Sequence, residues 1–194
     1  GLLAARLSAP VSVEDILSWQ SITGPFPADG SAIVNVTAEV ADDISVTLQS
    51  NLDGVTVSLP QPWGKFDQTR APLYIEWSDR GWAPWEVFWF GRFTAVADFS
   101  NGLQPAVAVD ITPRTRPSGS RRLSPSPGVH VRGYVPSFDP TDWLSALLES
   151  GGGLAAFSSL TIDDLQIGRL LWQGQEMGAA TLRASVAAPA FEAD

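Results

Sequence analysis

From Ile33 onward, apolar and polar residues alternate with a period of two. Ile33, Asn35 and Thr37 interleave with Val34, Val36 and Ala38, and Ile44, Val46 and Leu48 interleave with Ser45, Thr47 and Gln49. Val55, Val57 and Leu59 interleave with Thr56 and Ser58. Neighbouring side chains of an extended strand point to opposite faces, so the pattern predicts half-buried strands with one apolar face each. Asp53-Gly54, between two of these segments, predicts a hairpin turn. Pro60, Pro62 and Gly64 then end the pairing and predict a fixed loop. Further strands are expected over residues 73–77, 87–99 and 106–112, with turns at Asp79-Arg80-Gly81 and Asn101-Gly102. Residues 85–90 are apolar on both faces, which predicts a strand covered on both sides or facing a non-aqueous partner.

Two segments break this period. Residues 12–20 fit a short helix, with Ser12 and Asp15 in capping-box spacing. Asp139-Pro140-Thr141-Asp142 opens a second helix, expected over residues 140–150, with Asp139 as cap and Asp142 complementing the helix dipole. Trp143, Leu144, Leu147 and Leu148 form its apolar face, and Gly151 to Gly153 ends it. Leu160, Ile162, Leu165, Ile167, Leu182, Ala184 and Val186 then read as strand, with Gly174 and Gly178 marking the bend. The fold class expected is mainly β, mostly antiparallel.

Composition narrows the functions. The chain has 194 residues, one domain or two small ones. Charged residues are 17% of it, against about 25% in an ordinary soluble protein. The net charge of −9 opposes nucleic-acid binding, and 44% hydrophobic residues oppose disorder. There is no Cys and a single His, His130, so thiol chemistry, disulfides and Cys or His-rich metal sites are not expected. Asp42-Asp43 and Asp163-Asp164 are sequence neighbours, which strand geometry points apart, and Glu86 and Asp98 stand alone among aromatics. No catalytic residue, metal or cofactor is expected, and the chain is read as a non-enzyme. No run of about 20 apolar residues is present. The chain opens in mid-pattern at Gly1-Leu2-Leu3, with no signal-peptide pattern, as a piece of a longer chain would. Residues 113–128 combine four Pro with four Arg and no acid, which reads as a solvated loop or as a contact for anionic head groups or a partner.

The alternation is open to two interpretations. Two sheets could pack their apolar faces together as a sandwich. Alternatively, one long sheet could keep its apolar face as an open groove, where each lipid CH₂ removed from water gains about 0.8 kcal/mol.

Three stretches bear on the choice. The first is Asn51-Leu52-Asp53-Gly54, then Leu59-Pro60-Gln61-Pro62-Trp63-Gly64-Lys65 and Pro72-Leu73. The second is Gly133-Tyr134-Val135-Pro136-Ser137-Phe138-Asp139, followed by Trp143 and Leu144. The third is Leu160-Thr161-Ile162-Asp163-Asp164-Leu165-Gln166-Ile167-Gly168. In order and spacing these resemble the YhdP branch of AsmA-like bacterial proteins, over about residues 33 to 190. Trp63 and Phe66 depart from the family pattern, which has smaller residues there, and the Trp cluster from Trp77 to Trp89 is heavier.

The resemblance implies a long curved antiparallel sheet, a repeating β-groove, with one or two short helices. It implies a periplasmic section of an inner-membrane-anchored protein that carries phospholipid in its groove toward the outer membrane. The partners implied are phospholipid acyl chains, the remainder of the same longer chain, and both membranes through other segments. The organisation expected is a groove section over 1–112 with the short helix, an Arg/Pro-rich loop over 113–128, and a continuation over 129–194. The groove-lining residues expected are Ile44, Val46, Leu48, Val55, Val57, Leu59, Leu73, Ile75, Trp77, Val107, Val109, Ile111, Ile162, Ile167, Leu182 and Val186. Lys65, the only lysine, is either part of a structural turn or a phosphate contact. The competing expectations are a tailed-phage tail or baseplate protein with a β-sandwich, and a carbohydrate-binding module that uses Trp63 to Trp89 as stacking platforms.

Overall fold

The computed structural model describes residues 2–19, 27–60, 63–79, 85–98, 106–111, 127–149 and 159–187. Their strands form one mostly antiparallel sheet with two short helices. The first strand, β1 (Leu3–Ser12), lies at a sheet edge. There Pro10, which has no N–H for a ladder, is tolerated. Helix α1 (Val13–Trp19) follows at once. Ser12 caps it by accepting a hydrogen bond from the Asp15 N–H at 2.9 Å.

Next come β2 (Ala28–Val40), β3 (Ile44–Ser50), β4 (Val55–Val57) and β5 (Leu73–Ser78). They are followed by β6 (Trp85–Trp89), β7 (Phe93–Asp98) and β8 (Ala106–Ile111). The chain closes with β9 (Gly128–Phe138), α2 (Pro140–Glu149), β10 (Ser159–Trp172) and β11 (Gln175–Ala187). The spatial order is β1-β2-β3-β5-β6-β7-β8-β9-β10-β11, with β4 paired to β2 off this path.

Several local expectations change. Asp53-Gly54 does not join two paired strands, because β4 pairs with the start of β2 and not with β3. Leu52 to Val55 instead form a turn closed by the Val55 N–H on the Leu52 carbonyl, with Gly54 at φ 89°. Positive φ at that one central position, without Asp53, is the type II pattern, which redirects the chain and does not fold it back in a hairpin. Close approach explains Gly54 as well as φ: a Cβ on it would lie 2.5 Å from the Ser31 carbonyl oxygen. The single strand expected over 87–99 is two, β6 and β7, folded at Gly91 (φ 70°), where the Arg92 N–H meets the Trp89 carbonyl. β1 and β9 are strands that the alternation did not reveal. The Asn101-Gly102 turn, the 113–126 stretch and Gly151 to Gly153 lie outside the described residues.

The sheet is also not wholly antiparallel. β9 runs parallel to both β8 and β10. Parallel neighbours need a long crossover, and α2 lies in the crossover from β9 to β10 as a βαβ unit. Asp139 caps α2 by accepting the Thr141 N–H at 2.9 Å, and its second oxygen accepts the Gly174 N–H at 3.3 Å. These donors favour the carboxylate and hold its pKa below the ordinary value. By contrast, β10 and β11 join in a two-residue turn, Gln173 and Gly174, both at positive φ.

Burial is densest in two places, the β6–β7 hairpin, with Phe88, Trp89, Ala95, Val96 and Ala97, and the parallel strands. Ile111, Val135, Leu165 and Ile167 form the core cluster, with Ile111 and Val135 fully buried. Gly133 is required there, since a Cβ on it would stand 2.7–3.0 Å from the Ile111 backbone and its φ is 126°. We predict that Gly133→Ala lowers stability by about 1–3 kcal/mol, read as a fall in Tm, because the β8–β9 junction must part or strain.

Candidate functional site

Residues paired across strands share a face, so the register identifies what each face presents. One row crosses the entire sheet as Leu7, Val36, Leu48, Ile75, Val87, Ala95, Val109, Val131, Ile162 and Ala184. The adjacent row on that face runs Ala5, Ala38, Val46 and Trp77, then Trp85, Ala97, Val107, Val129, Leu160 and Val186. Trp77 and Trp85 meet within it, their ring centroids 6.1 Å apart. Apart from the indole N–H groups of Trp77 and Trp85, neither row carries a polar side-chain group. At about 4.8 Å per strand, ten strands carry each row across about 43 Å.

Thirteen of the sixteen residues expected to line a groove lie on this face: Ile44, Val46, Leu48, Leu73, Ile75, Trp77, Val107, Val109, Ile111, Ile162, Ile167, Leu182 and Val186. Val55, Val57 and Leu59 do not join the rows. They belong to β4 and the loop after it, and Val55 is buried. Sequence alternation missed the β1 and β9 contributors, Leu7, Val129 and Val131, although their every-second-residue apolar positions carry the same signal.

A bulge keeps the face intact at its far side. β10 pairs regularly through Ile162, shifts register, and resumes at Leu165. Asp163 and Asp164 occupy the shift, Asp164 at φ 51°. The extra residue returns Leu165 and Ile167 to the apolar side. The two aspartates find separate partners. Asp164 accepts from Arg183, and Asp163 stands 3.8 Å from the Nδ1 of His130.

The apolar face is covered at one margin only to the extent that the Trp63 loop and α2 reach it. Trp63 packs against the Ile111–Val135–Leu165–Ile167 cluster and meets Trp143 of α2 edge-on, with centroids 4.6 Å apart. Phe138 stacks on Trp143. The loop is locked by Lys65. The residue is 4% exposed; its backbone exchanges two hydrogen bonds with Val57, and its ammonium donates to the carbonyls of Val55 (2.6 Å), Phe66 (3.0 Å) and Asp67 (3.4 Å). Burial lowers its pKa. Lys65 is therefore a strut of the turn. Elsewhere along the two rows Ala95 and Ala97 are buried. Val36, Leu48, Ile75, Val87, Val109 and Val131 are half-buried, not sealed as the centre of a two-layer core would be.

The reverse face is polar over β1 to β5 and turns apolar at Phe88 and Val96, both buried. Its rows include Arg6, Thr37, Thr47, Glu76 and Glu86, and beside them Ser8, Asn35, Gln49, Tyr74 and Phe88. Glu76 and Glu86 are direct cross-strand partners. Burial, and then the charge of Glu76, raise the pKa of Glu86 above its ordinary 4.5. Asp110 on the same face is tied to Arg132 at 3.5 Å. No group of three or more potential metal ligands occurs among the described residues, and none of their helices is long and apolar enough to cross a membrane. No protein-family model, curated protein or solved structure matches the chain.

The opposed glutamates give a pH signature. The folded chain holds the Glu86 proton more tightly than the unfolded chain, so stability is lost as pH rises from about 4.5 through the folded-state value. We therefore expect Glu86→Gln to melt at a higher temperature than wild type at pH 7. The gap should close as pH falls below 4.5, as followed by thermal unfolding across that range.

Proposed function

We propose that this chain is a section of a bridge that carries phospholipid, its acyl chains lying along a continuous apolar face between the inner and outer membranes of a bacterial envelope. The observation that carries the reading is the pair of apolar rows unbroken across ten strands. An apolar strip of that length on a chain otherwise rich in polar turns marks an interaction surface. Its long axis runs along the stacking direction of the strands, the direction in which a further section would extend it. Acyl chains fit such a strip because no charge interrupts it and the hydrogen-bonding groups within it are limited to the indole N–H groups of Trp77 and Trp85. The sequence resemblance described above points to the same activity and to a periplasmic location.

Curvature of the sheet is part of the proposal. β4 is paired to β2, yet Trp63, a few residues beyond it, packs on the core of β8, β9 and β10. β2 and β9 are six positions apart in the sheet, about 29 Å if it were flat. A sheet bent toward its apolar side brings the two within reach and makes the strip a groove, with the Trp63 loop and α2 along one rim. A tail-protein sandwich would instead seal the central valines under a second sheet, whereas all the described strands belong to one.

Mass spectrometry of lipids co-purifying with the chain tests this. Wild type is expected to retain phospholipid. The double variant Val46→Asp, Val109→Asp, which breaks both rows, is expected to lose it, while Thr47→Asp on the reverse face keeps it. Equal lipid content in all three, with circular dichroism showing each folded, would overturn the reading.

A further inference from the structure

We propose that the polar face carries a second site, a cleft for a small organic ammonium ion, held between the opposed carboxylates of Glu76 and Glu86 and an aromatic wall. The cleft has a volume of about 550 Å³ and opens between β2, β3, β5 and β6. Its floor is one cross-strand row, Asn35, Gln49, Tyr74 and Phe88. The next row supplies the two glutamates as direct partners. Phe90 closes one side, set edge-on to Phe88 with centroids 5.1 Å apart, and it is 47% exposed. Ser50 and Leu73 border one end of the cleft, but the two glutamates and the floor row lie on the opposite side of the sheet from the apolar rows, and the site does not rest on the lipid reading.

Three features of the cleft select the ligand. Like charges directly opposite on neighbouring strands disfavour pairing, and no Lys, Arg or His is among the described residues that line the cleft. The Tyr74 hydroxyl donates to Glu76 at 3.0 Å, which fixes one carboxylate but brings no positive charge. A cation between the two carboxylates removes the repulsion, so the charge of the ligand is positive. The volume then argues against a bare metal ion. It falls within the range of about 300–1,000 Å³ typical of organic-ligand sites. The described residues, moreover, offer no third carboxylate or imidazole beside the pair. The wall completes the choice, since phenyl faces attract alkylammonium groups through their quadrupole and through apolar contact. The amide oxygens of Asn35 and Gln49 remain to accept from a hydroxyl or N–H on the same ligand.

Choline chloride is the probe, titrated into the isotope-labelled chain by ¹H–¹⁵N NMR, with sodium chloride at matched ionic strength as the blank. Saturable shifts are expected at the amides of Gln49, Tyr74, Glu86 and Phe88. Glu86→Gln is expected to weaken binding at least about tenfold, equivalent to the loss of about 1.4 kcal/mol, and Phe90→Ala to weaken it as well. Glu86→Gln also removes the like-charge pair, so it should fold at least as well as wild type, and lost binding cannot be assigned to unfolding. The proposal is overturned if choline gives no saturable shifts or if Glu86→Gln binds it as wild type does. Saturation of the same amides by calcium chloride or by glucose, but not by choline, would equally overturn it.

Discussion

Side-chain alternation allows no partial error. A slip of one residue in any strand would send its entire apolar set to the polar face. Here alternation is kept in register over ten strands, and the rest of the molecule can be understood as what keeps it so. The clearest case is β10. Without the extra residue at Asp163–Asp164, the sequence following Ile162 would place Asp164 and Gln166 on the apolar side and send Leu165 and Ile167 to the polar one. The bulge requires one residue in the left-handed region, and aspartate is among the few side chains that tolerate it. Arg183 then holds its carboxylate on the outside. The apparent doublet of acids is a device of register, not of chemistry.

Packing is not uniform across the sheet. The buried cluster sits where β9 runs parallel to its neighbours, and it is reinforced by Trp63, Phe138 and Trp143 from the adjoining loop, strand and helix. Placing Trp63 there depends on Lys65. A buried ammonium without donors' counterparts would cost several kcal/mol, but three backbone carbonyls surround it. Those same carbonyls leave it no freedom to reach a ligand. Away from that cluster β6 and β7 bury Phe88, Trp89, Ala95, Val96 and Ala97, and the other strands hold together through ladders and half-buried side chains.

Much of this was legible in the sequence because period-two alternation is a local signal. β2, β3, β5 and β8 follow from it, and so do both helices from their caps, Ser12 and Asp139. What was not legible is non-local. β9 carries Gly133 and Pro136 among its alternating residues, and these read as punctuation until Gly133 is seen against the Ile111 backbone. The Asp53-Gly54 pair has a hairpin composition, but which strand β4 joins is decided by Gly30 and Ser31, more than twenty positions upstream. Parallel pairing of β8, β9 and β10 leaves no local mark at all. Of the expected lining residues, Val55 and Val57 on β4 stand apart from the rows for the same reason. Their alternation was real, but their sheet neighbour was not the one that sequence order suggests.

The low charge density follows from the same architecture. A sheet with two apolar rows along one face needs most of its polar residues on the other, and there Thr, Ser, Asn and Gln suffice to hold water. Charges in such a chain are therefore placed against a neutral background, and their partners are informative. Asp110 has Arg132, Asp163 has His130 and Asp164 has Arg183. Glu76 and Glu86 instead face one another on adjacent strands. Sequences that are otherwise locally consistent break such rules where function requires it. In a sheet whose register is enforced from both sides, the pair cannot slip apart to relieve its repulsion, and that rigidity would give a bound cation its advantage.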